Sequence, residues 1–184
     1  MEPAAFSPLT RLFYIPSINI CVDNEPLEVN FIEGTPFVGA MPTMYAGPGG
    51  NRGAFIAWDA VNGRQAWSIT ENFPLYGGAL ATAGNVVFYG TMDRWLKAVD
   101  ATTGQVLFKT QLPSGIIGNP ITFIGPDGKQ RVAIYSGVGG YVGAIVSAPL
   151  APDDPYAAFG ITGATADLPQ VTGPGGTVHV FKLP

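Results

Sequence analysis

Charge is scarce in this sequence. Of 184 residues, 9 are Lys or Arg and 13 are Asp or Glu, together 12%, about half the usual share. With a net charge of −4 and no basic cluster, a nucleic-acid partner is excluded, because nothing here would displace counterions from a phosphate backbone. One histidine, His179, cannot supply a multi-histidine metal cage. One cysteine, Cys21, can make neither an internal disulfide nor a cysteine-rich zinc site. No uncharged apolar run reaches the ~18 residues that span a bilayer. The opening MEPAAFSPLT has neither the basic start nor the apolar stretch of an export signal, so the residues themselves name no compartment.

What the chain has in abundance is turn chemistry and apolar surface. It contains 25 Gly and 17 Pro, yet is 47% hydrophobic and 11% aromatic, which sets it apart from disordered chains. Short β-branched and aromatic runs recur between Gly, Pro, Asn and Asp clusters, as at 12–15, 86–89, 106–109, 132–135 and 178–181. None continues with a 3.6-residue period, so the expectation is an all-β fold of closely spaced strands without helices.

The sequence also repeats. AFIAWDAVNGRQAW (54–67) aligns with WLKAVDATTGQVLF (95–108) at an offset of 41 residues. Ala57, Asp59, Ala60 and Gly63 recur as Ala98, Asp100, Ala101 and Gly104, and Trp67 is answered by Phe108. GALATAGNVVFYG (78–90) resembles NPITFIGPDGKQRVAIYSG (119–137), and PAAFSPLTRLFYIPS (3–17) is a weaker copy. A period near 40 residues with four short strands is the pattern of propeller blades. The predicted division is about three blades over 1–184: 3–70 with a long insertion at 18–52, then 78–111, then 119–182 with an insertion at 137–175 and no fourth strand. Since roughly four to eight blades are needed to close a ring, the expectation is an incomplete ring, part of a longer protein. In the repeated motif, Asp and Gly build a tight turn, and Trp67 reaches toward the neighbouring blade. That motif is structural.

Ala57, Asp59, Gly63 and Trp67, in the pattern Ala-x-Asp-x-x-x-Gly-x-x-x-Trp, resemble the docking motif of quinoprotein alcohol dehydrogenases. MYAGPGGNRGAFIAWDAVNG, FPLYGGALATAGNVVFYGTMD, SGIIGNPITF, YSGVGGYVG and GGTVHVFKLP are similar to the last blades of these enzymes, notably methanol dehydrogenase large subunits, including the lanthanide-using kind. The resemblance implies the C-terminal blades of an eight-bladed β-propeller that holds pyrroloquinoline quinone (PQQ) and a Ca²⁺ or lanthanide ion near its axis. It further implies oxidation of a small primary alcohol to an aldehyde in the periplasm, electrons passing to a c-type cytochrome, and a homodimer at full length. The family's general base, metal ligands, adjacent-cysteine disulfide and stacked Trp match no segment here. This chain would then supply blade packing and pocket wall, and be inactive alone. The alternative is a non-catalytic scaffold built from PQQ-like repeats that binds other proteins.

Strand alternation would gather the Cys21 excursion, 76–78, 93–94, 118–119 and 137–143 on one face. Tyr76 and Gly77 stand where the family has an aromatic, commonly Trp, before a small pair; Tyr76 either lines the PQQ pocket or packs at a strand start. Gly139, Gly140 and Tyr141 match the family's Gly-Gly-aromatic loop near the substrate cavity, or form a Gly-rich turn capped by a surface Tyr. Arg94 departs from the Asp-Gly usual at its turn. Arg94 and Arg52 could pair with a PQQ carboxylate or simply be solvated. Cys21 matches a position often disulfide-bonded in the family, and otherwise reads as a small buried hydrophobe. Asp23, Glu25, Glu28 and Glu33 read as a solvated face rather than a metal site, and His179 as an ordinary strand residue.

Overall fold

The computed structural model describes every residue except 1, 35, 36, 149, 152, 155, 156, 158, 159, 183 and 184. Its strands are β1 Ala5–Ser7, β2 Leu12–Ile18, β3 Ile20–Pro26, β4 Ala40–Ala46, β5 Gly53–Asp59, β6 Arg64–Glu71, β7 Ala79–Ala81, β8 Val86–Gly90, β9 Trp95–Asp100, β10 Val106–Gln111, β11 Ile121–Ile124, β12 Gln130–Ser136 and β13 Thr177–Lys182. They form an antiparallel sheet β1-β2-β5-β6, a second β7-β8-β9-β10, a three-stranded sheet β11-β12-β13 and a separate β3-β4 hairpin. The fold is mostly β, and the sheets do not close on themselves.

One expectation is corrected. The 137–175 region is helical in part, with α1 at Gly140–Ser147 and single turns α2 at Thr162–Thr165 and α3 at Leu168–Val171. Helix α1 has neither a side-chain cap nor acidic or basic residues at its ends, so its sequence carries no terminal signal. Burial of Val142 and Ile145, one turn apart, holds it through tertiary packing.

The repeat explains how the sheets dock. In the β5–β6 turn, Asp59 accepts from the N–H groups of Val61 and Asn62; in the β9–β10 turn, Asp100 accepts from those of Thr102 and Thr103. These bonds favour the ionised carboxylates: the Asn62 side chain leads in lowering Asp59, and the Thr103 N–H in lowering Asp100. Trp67 leaves the first sheet, donates its indole N–H to Ala101 O at 3.2 Å, and lies against Gly104 of the second. Tyr14 donates to the same carbonyl at 3.0 Å, and Phe55 stacks on Tyr89 with centroids 4.0 Å apart. Leu12, Leu75, Val87 and Val99 complete this core. Leu96, Leu112, Ile116 and Ile134 seal the second sheet to the third. There Phe108, which follows Gly104 as Trp67 follows Gly63, meets Phe181 edge-on at 6.3 Å.

Between the first two sheets lies a buried ionic network. Lys97 donates to both carboxylate oxygens of Glu71, at 2.6 and 2.8 Å, and Tyr89 donates to Oε1 at 2.7 Å. Burial, together with the carboxylate beside it, pushes the Tyr89 phenol far above its ordinary value. The phenol therefore stays a donor.

Candidate functional site

The strand connections on one side of the sheets converge on a single apolar layer. Phe73 and Met92 from those connections join Val138, Val142, Ile145, Ile161, Ala164 and Leu168 of the helical excursion. Ile20 and Met44 of the β3-β4 hairpin pack against them, as do Tyr76 and Ile117. The two excursions fit closely. Met44 N–H donates to Gly160 O at 3.1 Å, and a side chain at Gly160 or Gly163 would collide with the backbone oxygens of Pro42 or Met44.

Tyr76 sits half-buried at the border of this layer, and burial raises its phenol, with Glu2 adding to the effect. Tyr141 is more exposed. Burial raises its phenol too, and Tyr76 contributes. Both residues border the same layer: Tyr76 packs against it, and Tyr141 precedes Val142, one of its buried members. Next to Tyr141, Gly139 and Gly140 face open space, with no atom within 4 Å of where a side chain would begin, and Gly140 has φ +55°. Gly77 differs: it is buried, and an added Cβ would lie 2.8 Å from Gly118 O. Its small size serves packing of the chain. Beside it, Gly78 N–H donates to Asn119 Oδ1 at 2.7 Å.

The other candidates separate cleanly. Arg52 is held by protein: Nε donates to Asn72 O at 2.5 Å, and Nη1 to Ala164 O at 2.8 Å. Nη1 and Nη2 also grip the two oxygens of Asp167 at 2.5 and 2.9 Å. Its guanidinium lies 4.1 Å over the Phe73 ring. Sequence reasoning missed this role because the partners are 20 to 115 residues away. Arg94 adopts φ +79°, the conformation a glycine at its turn would favour, and its buried Nε has no acceptor. Cys21 is a free thiol, partly buried. Asp23, Glu25, Glu28 and Glu33 are exposed, and among the described residues no group of three or more His, Cys, Asp or Glu could hold a metal. His179 is partly buried, stacks on Phe181, and leaves Nε2 buried without a partner. Among the described residues, no helix is long and apolar enough to cross a membrane.

Comparison with known proteins gives this arrangement its class. A family model described as "PQQ: Glucose/ethanol/alcohol dehydrogenase, beta-propeller domain" matches residues 68–132, which carry the second sheet and its docking elements. Along its whole length the chain is similar to the PQQ-dependent quinoprotein alcohol dehydrogenase family, and it forms an incomplete piece of a β-propeller of that kind. Within that family it is 53% identical, over 99% of its length, to a lanthanide-dependent methanol dehydrogenase of Methylacidiphilum fumariolicum strain SolV. It is 44% identical, over 97% of its length, to methanol dehydrogenase [cytochrome c] subunit 1 of Methylobacterium organophilum. The solved structure of a europium-containing methanol dehydrogenase superposes on 99% of the chain with a TM-score of 0.93 and 53% identity. The chain spans about a third of these relatives: 31% and 29% of the two curated proteins and 32% of the solved chain.

Proposed function

We propose that this chain is a wall segment of a PQQ-dependent, methanol-type alcohol dehydrogenase, three blades of an eight-bladed ring. Likeness to methanol dehydrogenases along the whole chain carries this reading. The substrate is a small primary alcohol, the product an aldehyde, the electron acceptor a c-type cytochrome, the compartment the periplasm and the full-length form a homodimer.

The residues present fit one side of a flat organic cofactor. Tyr76 offers a half-buried ring, and the bare backbone of Gly139–Gly140 leaves room for close approach beside Tyr141. They do not fit the metal: among the described residues no group of three or more His, Cys, Asp or Glu could hold one, so its ligands and the proton-abstracting base come from other blades. PQQ, when bound, supplies the two-electron acceptor. This chain's own part is to shape the pocket. Tyr76 and Tyr141 exclude water with their rings, and the layer beneath holds them. Both phenols, raised by burial, remain protonated hydrogen-bond donors at neutral pH.

The test uses the full-length holoenzyme. Tyr76→Ala is expected to weaken PQQ binding, followed by fluorescence titration, and Tyr141→Ala to raise the KM for methanol. Unchanged values in both variants would overturn the pocket-wall reading. The 184-residue chain alone, given PQQ and Ca²⁺ or a lanthanide, is expected to show no dye-linked alcohol oxidation. Robust turnover would show that it holds its own catalytic groups.

A further inference from the structure

We infer that Arg52 and Asp167 form a clamp that sets the spacing between the two aromatic walls, making Arg52 a positioning residue for the alcohol end of the pocket. This rests on the pocket-wall reading above and extends it to residues that touch neither cofactor nor substrate. Arg52 lies in the loop between β4 and β5 and is mostly shielded from solvent. Of its five N–H donors, four are used, on two separate stretches of chain.

Both stretches lead to the walls. The bond to Asn72 O and the stacking on Phe73 fix the start of the run that ends at Tyr76, and that run is rigid, with Phe73, Pro74, Leu75 and Gly77 all buried. On the other side, the bidentate grip on Asp167 and the bond to Ala164 O hold α2 and α3. Leu168, next to Asp167 and fully buried, shares the apolar layer with Val142 and Ile145 of α1, whose first turn carries Tyr141. One guanidinium thus ties the Tyr76 run to the Tyr141 helix. The choice of arginine is explained by the same geometry. Only a planar fork satisfies both carboxylate oxygens while its face covers a ring, which lysine cannot do.

If the clamp governs wall spacing, loosening it changes which alcohols fit before it changes the chemistry. In the full-length holoenzyme, Asp167→Asn is expected to raise the KM for methanol three- to tenfold and to lower kcat by a smaller factor. The preference for methanol over butanol should narrow, and PQQ should dissociate several-fold more readily in fluorescence titration. Arg52→Lys keeps the charge and should recover much of the thermal stability lost in Arg52→Gln, yet none of the selectivity. Parent-like KM, selectivity and PQQ affinity in folded Asp167→Asn and Arg52→Lys would overturn the clamp, leaving a purely structural ion pair. If Tyr76→Ala and Tyr141→Ala alter binding while both clamp variants behave as the parent, the clamp alone fails. If the tyrosine variants are silent and the clamp variants are not, the wall assignment fails instead.

Discussion

Gly63 and Gly104 hold the same place in the repeat and the same left-handed backbone, with φ +63° and +75°, but their surroundings differ. A side chain at Gly63 would meet open space, whereas one at Gly104 would come 2.7 Å from Trp67 Cε3. Gly63→Ala should therefore cost only the backbone penalty, about 1–2 kcal/mol. Gly104→Ala adds displacement of the docked indole, for a total of about 3 kcal/mol or more. Urea denaturation of the two variants measures the gap, and equal losses would contradict docking of Trp67 on Gly104. Arg94 presents the inverse case, a bulky residue in a glycine conformation. Arg94→Gly relieves backbone strain, while the freer unfolded chain takes part of the gain back. The net expectation is a stabilisation on the order of 0.5 kcal/mol, seen as a higher urea midpoint.

At the scale of elements, the second sheet was legible from spacing alone, because Asp, Gly and the aromatic that follows act within one turn and recur 41 residues later. Helix α1 was not. Tyr141, Val142, Ile145 and Val146 suit a strand as well as a helix, and only the apolar layer beneath decides. Of the proposed pocket wall, Tyr76 and Tyr141 are suggested by resemblance alone, while Arg52 has no local signal. The Glu71–Lys97–Tyr89 network was equally silent, since its members come from three strands in two sheets. Lys97→Met leaves the buried Glu71 carboxylate without its cation and should destabilise by about 3–5 kcal/mol. Adding Glu71→Leu should recover much of that loss, and a double-mutant cycle in urea reads the coupling. The turns carry their own pH signature. Asp59, Asp100, Asp127 and Asp167 all sit below the ordinary value of 3.8, so each favours the folded state when ionised. Their contribution is complete above about pH 5 and is lost as protons are added below about pH 4. Thermal midpoints measured from pH 6 to pH 3 should hold steady and then fall.

For the molecule as a whole, the outer sheets show what the arc leaves bare. Among the described residues, strand β13 pairs only with β12; it presents exposed Val178 and Val180, an unpaired edge of the kind that recruits further strands. The isolated chain should associate at micromolar concentration in sedimentation experiments, and Val178→Lys with Val180→Lys should reduce it. A parent chain that stays monomeric would show the edge to be harmless.

The interlocked excursions constrain how the two loops can vary. Gly160 and Gly163 fit against Pro42 and Met44 with no room for a side chain, so each loop is the mould of the other. Grafting one of them from a distant relative should misfold or lose the cofactor, whereas exchanging both as a pair should be tolerated. Under the proposed function, variation in alcohol preference would then be inherited in matched halves, written in two places more than 100 residues apart and read as one.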